Sequence, residues 1–307
     1  MCIIKYHTSK GFLDFKEISH KEFEILKESV EYVKFYRQFE ELFELVRFNI
    51  NELWTYLVNI SEYHRLNAIV EYDDFFDPIL ISNQRLANIL TSHRTFIDHV
   101  AHKFSQRYGK NSDELNKFNL ITKELFDHNF AYRFFSKLRN FLQHYGLPIT
   151  RILFNKHFDE ISKKNVFHSV SIFIKKDELL DYDGWGKVVL SDLTKIKEDI
   201  NVKNLLNEFF SSIVILYKKL KEILIPQFEN AQNQILTIYE DCLTFIKEPK
   251  YKYDFVALYV IAVCNINEDS EESVYLPIDM IKKINKLINR HLLNEHNIKF
   301  SYTNMLY

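Results

Sequence analysis

Five glycines and five prolines are all the strong breakers in a chain of 307 residues. A β-sandwich needs turn signals at intervals of about 8–12 residues. A chain this poor in them is left with long helices. With 27 Phe and 18 Tyr, the interior those helices bury should be bulky and rich in rings. The expected fold class is mostly α, a helical bundle with small β-hairpin additions.

Local signals place the helices. Ser19-His20-Lys21-Glu22 reads as a capping box, followed by Phe23, Leu26, Val30, Val33 and Tyr36 at helical spacing. The periodicity continues to about Arg65, with a break expected near Asn49. Residues 71–81, holding Asp73, Asp74, Asp77 and Pro78, read as a loop. A second helix should start at Ser82 or Asn83 and run to Tyr108, with Gly109 as its stop. Its apolar stripe is Leu86, Leu90, Ile97, Val100, Phe104 and Tyr108, and His93 sits within it, read as a core histidine. Ser112 caps a third helix over 113–127, and a fourth spans about 129–145. Strands are expected at 150–155 and 165–175, the second with Val170, Ile172 and Ile174 on one face. Residues 181–186 read as a turn. Helices resume over 190–202 and 202–247, with Pro226 kinking or breaking the second. A second hairpin is expected from Ala257–Asn265 and Ser273–Leu276, and Pro277 opens a last helix to about His291. This divides the chain into an N-terminal helical region packing on the bundle (1–79), a core (80–150), and a hairpin plus C-terminal helices of unknown role (151–307).

The net charge of −2 is no signature of a nucleic-acid binder, but it is unevenly spread. Residues 1–79 hold 9 Lys and Arg against 15 Asp and Glu, whereas residues 80–150 hold 10 against 5. The basic segment admits two readings: a surface for RNA, or charge balance against the acidic N-terminal helices. Cys2, Cys242 and Cys264 lie far apart and form no CxxC, so neither a disulfide framework nor a zinc site is expected. With no secretory signal and no apolar run long enough to span a bilayer, the expectation is a soluble, cytoplasmic protein.

The most chemical stretch is Phe134-Phe135-Ser136-Lys137-Leu138-Arg139-Asn140-Phe141-Leu142-Gln143-His144-Tyr145-Gly146-Leu147-Pro148. Arg133, Lys137, Asn140 and His144 recur at intervals of four, three and four, which lines them up along one helix side with no acid among them. Arg139 and Gln143 flank that line. Cutting RNA without a metal takes a base for the 2′-hydroxyl, an acid for the leaving oxygen and a cation for the phosphorane. Histidine serves as acid or base near neutral pH, and arginine is a permanent forked cation suited to phosphate. Arg139 lies about 140° around the helix from His144, a gap its long side chain or a second subunit would close. The Arg–His spacing alone is weak. An Arg followed five or six residues later by His also occurs at Arg94–His99, Arg151–His157 and Arg290–His296. A histidine in a last helical turn is also an ordinary capping residue.

Arg139-Asn140-x-x-x-His144 resembles the signature of HEPN-domain proteins, a helical superfamily with many RNases of toxin, abortive-infection and anti-phage systems. The wider context, from Tyr132-Arg133-Phe134 through Gln143-His144-Tyr145-Gly146-Leu147-Pro148, is similar as well. So is the preceding helix, with Asn83-Gln84-Arg85-Leu86 and Arg94-Thr95-Phe96-Ile97-Asp98-His99. The resemblance covers roughly residues 80–150. It implies a homodimeric bundle whose two motifs face a shared cleft. It further implies metal-independent RNA cleavage without a cofactor, with Arg139 and His144 as the essential pair and Asn140 as polar helper. On that basis Arg133, Lys137, Gln143 and Tyr145 are candidate RNA-binding residues, for tRNA or mRNA, and a cognate antitoxin or sensor protein is a candidate partner. Toxins silenced by a nucleotidyltransferase often carry Tyr two positions after the His, where this chain has Gly146.

The alternative function is a non-catalytic helical module that binds RNA or a partner protein. A toxin awaiting activation by its partner is a third reading. Asp98, His99 and His102 have helical spacing for a metal but lack a third strong ligand, and no metal is expected. Tyr182 and Trp185 have the chemistry to stack on bases, or to pack on their own domain.

Overall fold

The computed structural model describes residues 2–8, 11–67, 72–158, 166–246, 259–267 and 270–293. The protein is mostly helical with small antiparallel sheets. It forms two compact units, one from residues 1–41 and 221–296 and one from 42–220. Helices α1 (His20–Asn67) and α7 (Val202–Ile246) contribute residues to both.

The first unit carries a four-stranded sheet in the order β2-β1-β6-β7, from β1 (Cys2–Thr8), β2 (Gly11–Ile18), β6 (Val260–Asn267) and β7 (Ser270–Tyr275). In β1 the side chains of Cys2, Ile4 and Tyr6 are buried, alternating with half-buried Ile3, Lys5 and His7. This N-terminal hairpin is absent from the sequence reading. Its second strand begins at Gly11, φ 105°, a conformation that suits a residue without Cβ. Cys2 stands opposite Cys264 across the β1–β6 ladder, and the two form a disulfide. The expectation of unpaired cysteines is thereby corrected. The antiparallel register brings together residues that are remote in sequence. The start of α1 is the predicted capping box: the Ser19 N–H donates to Glu22 Oε2 at 2.7 Å and the Glu22 N–H to Ser19 Oγ at 3.2 Å. Tyr36 stacks on Phe228 at 4.2 Å, and the Tyr32 hydroxyl donates to the Leu224 carbonyl at 3.2 Å. The unit closes with α8 (Ile278–Leu293).

The second unit holds the rest of α1, then α2 (Phe76–Tyr108), α3 (Asp113–His128) and α4 (Phe130–His144). A three-stranded sheet of order β3-β4-β5 follows, from β3 (Ile149–Phe158), β4 (Val166–Ile174) and β5 (Ile200–Asn201). Val170, Ile172 and Ile174 are its buried face, as their alternation predicts. Between β4 and β5 lie α5 (Lys176–Leu180), a 3₁₀ turn at Asp183–Trp185, and α6 (Lys187–Lys195). The helix expected over 190–202 therefore starts and ends earlier, because Ile196 is extended and leads into β5. Asn83, 1% exposed, ties this sheet to α2. Its Nδ2 donates to the Ile149 carbonyl at 2.7 Å, and the Ile149 N–H donates to its Oδ1 at 2.9 Å. Trp185 is buried, stacked on Phe134 at 5.6 Å and Phe141 at 5.7 Å, and its Nε1–H donates to the Leu179 carbonyl. Of the two readings of that indole, packing on its own domain is the one observed. No described helix is long and apolar enough to cross a membrane.

Candidate functional site

Helix α4 starts from Asn129, whose Oδ1 accepts the Tyr132 N–H at 2.7 Å. It buries Ala131, Tyr132, Phe134, Phe135, Leu138 and Phe141 on one face. That fixes the rotation of the helix, and with it where the polar residues point. Lys137, Arg139 and Asn140 come to line a cavity of about 470 Å³ between α2, α3 and α4. From α2 come Leu90, His93, Arg94 and Ile97, and from α3 Thr122, Lys123 and Phe126.

Four of the lining residues are cationic, namely Arg94, Lys123, Lys137 and Arg139, and no carboxylate lines the cavity. Asp98 pairs with Arg94 at 2.7 Å and offsets one of them. Lys123, Lys137 and Arg139 make no ion pair among the described residues. The Nε of Arg139 is buried with no hydrogen-bond partner. A buried donor left unmade costs about 1–3 kcal/mol, so an arrangement like this one suits an anion or a polar ligand. Opposed to the cations are the apolar walls of Leu90, Ile97, Phe126 and Phe135.

The seven candidate residues of the motif helix and its end do not share one place. Arg139, Asn140 and Lys137 share the cavity. Arg133 does not: its Nε donates to Asp192 Oδ2 at 2.6 Å, and its Nη1 donates to the Phe126 and Asp127 carbonyls at 3.2 Å each. The acid missing from the motif stripe comes from α6, out of sight of local sequence. His144 and Gln143 are exposed at the end of α4, outside the cavity lining. Tyr145 is 51% exposed and packs against Phe141 at 4.9 Å and Tyr182 at 5.5 Å. His99 and His102 are exposed on α2, and no cluster of three metal-ligating side chains occurs among the described residues. The side chains of His157, Arg290 and His296 lie outside the described residues.

No family model, curated protein or solved structure matches the chain.

The α2 stripe lines the cavity as well as the core, and His93 is its polar member. His93 is 4% exposed and packs edge-on against Tyr132 at 5.2 Å and Phe209 of α7 at 4.9 Å. Its Nε2 is buried without a hydrogen-bond partner. Burial, and secondarily the charge of Arg94, push its pKa down to about 3, so the ring is neutral. Burial also raises the pKa of the neighbouring Tyr132 hydroxyl. The signal available in sequence was weak: a histidine at an apolar position, one residue before an arginine.

Proposed function

We propose that this protein is an endoribonuclease of the HEPN type, acting on RNA as a toxin or phage-defence effector. The observation that carries the reading is the cationic cavity that Arg139 and Asn140 share, with the Arg139 Nε buried and unpaired. That arrangement is suited to a phosphodiester: a fixed guanidinium stabilises the charge that develops on the phosphorane oxygens. Asn140, on the same helix face, orients the phosphate. His144 supplies general acid–base catalysis to the 2′-hydroxyl or the leaving 5′-oxygen. Because His144 lies outside the cavity of its own chain, the proposal includes a homodimer in which the ends of two α4 helices meet and complete each other's sites.

The test is to incubate wild type, Arg139→Ala and His144→Ala with tRNA and total RNA in EDTA, then map new ends. Wild type should leave 2′,3′-cyclic phosphates, and each variant should lose cleavage by at least about 100-fold with its melting curve unchanged. Cleavage indifferent to both substitutions would overturn the assignment. In cells, slow growth on expression that His144→Ala relieves would support the toxin reading.

A second reading has its own observation. The exposed His144 stands apart from the cavity, which fits a module that binds RNA without cutting it. RNA recovered uncut with the wild type would favour it.

A further inference from the structure

The cavity holds more than a phosphate site requires. An anion needs the cations at Lys137, Arg139 and Lys123. It does not need ring-bearing walls or a buried imidazole. A volume of about 470 Å³ lies in the range of small-molecule sites, about 300–1,000 Å³. The walls include Phe126 and Phe135, with Tyr132 beside His93. His93 itself is the anomaly. A buried polar atom without a partner costs about 1–3 kcal/mol, and a Phe or Leu at this apolar position would avoid that cost. Nothing in the packing against Tyr132 and Phe209 uses the ring nitrogen Nε2.

We infer that the cavity receives one unstacked base of the RNA strand, and that His93 reads the edge of that base. Single-stranded RNA is recognised by splaying bases out, packing them on aromatic side chains and hydrogen-bonding their edges. Here the half-buried Phe126 provides the packing surface, backed by the fully buried Phe135, and the His93 imidazole in the same lining carries a nitrogen without a partner. Arg139 and Lys137 hold the phosphate next to that base. The neutral imidazole offers a fixed donor or acceptor according to its tautomer, where an imidazolium would offer donors only. His93 is thus a specificity-determining residue. The inference rests on the proposed RNase reading for its ligand, but binding can test it without cleavage.

The probe is a set of single-stranded hexaribonucleotides that differ only at one central position, bearing A, C, G, U or no base. Binding is measured by fluorescence anisotropy on the His144→Ala protein, so that the strand survives. One base should bind at least about tenfold tighter than the abasic strand, the lower end of one hydrogen bond plus ring packing. Adding His93→Phe should bring the four bases to within about twofold of one another. Ile97→Trp, which fills the cavity from a half-buried position and leaves His93 in place, should do the same if His93→Phe perturbs folding. Base-independent binding, no binding, or a preference that survives both substitutions would overturn the inference. The two readings fail separately. Base-selective binding with no cleavage by wild type would leave the base pocket and remove the nuclease. Cleavage with no base preference would do the reverse.

Discussion

At the scale of single residues, His93 makes a prediction that needs no ligand. Its unfolded imidazole titrates near 6.5 and its folded one near 3. Between those values the unfolded chain holds a proton that the folded chain lacks, so acid favours unfolding. The contribution is complete above pH about 6.5 and falls as the pH drops, by about 2 kcal/mol at pH 5. Urea unfolding of wild type and His93→Phe at pH 7 and pH 5 should show this part of the pH dependence vanish in the variant. An identical pH dependence in both proteins would mean that another group is responsible. Asn83 and Arg133 show what local sequence leaves out. Asn83 had the signature of a helix cap, yet it is a buried clamp on Ile149. Arg133 fell on an acid-free stripe, yet Asp192, 59 residues on, pairs with it. Local sequence shows the chemistry of a side chain but not its long-range partner. That Arg139 and Asn140 line one cavity follows from a strongly amphipathic helix, which fixes its own rotation.

Among the elements, helices with clean caps and stripes were readable. α3 ends one residue past its predicted span, and the Oγ of its cap Ser112 accepts the Leu115 N–H. α2 starts six or seven residues before the expected Ser82 or Asn83. Pro78 looked like a breaker but sits in the first turn, where its missing N–H costs nothing. The supposed start residues bond back inside the helix, Ser82 Oγ donating to the Pro78 carbonyl and Asn83 Nδ2 to the Ile79 carbonyl. Nor does α1 break near Asn49, because Val46, Ile50 and Leu53 continue a buried stripe. α7 runs on through Pro226, where buried Leu224 and Phe228 flank it. In α1 and α7 tertiary packing outweighs local preference. Asn129 belongs to this scale too, since it ends α3 and caps α4. Asn129→Ala should lower stability by about 1 kcal/mol. Cleavage or RNA binding should also weaken, because the cap sets the start of the helix that carries Arg139. A variant as stable as wild type by thermal melting would contradict this.

Over the whole molecule, the least legible feature is the sheet that joins the chain's beginning to residues beyond 259. β1 and β2 are seven and eight residues long, and β6 lies some 250 residues from its neighbour. No local pattern encodes that pairing. The Cys2–Cys264 bond spans a sequence separation of 262, so it removes much freedom from the unfolded chain. Reduction, or Cys2→Ser, should lower stability in urea by about 2–5 kcal/mol. Equal unfolding midpoints with and without reductant would show that the bond contributes nothing. The same bond closes most of the polypeptide into a ring. A protease that cuts once, at any peptide between the two cysteines, opens that ring without releasing a piece. The nicked protein would run as a single species on a non-reducing gel and as two on a reducing one, whereas a cut beyond Cys264 would give two species on both.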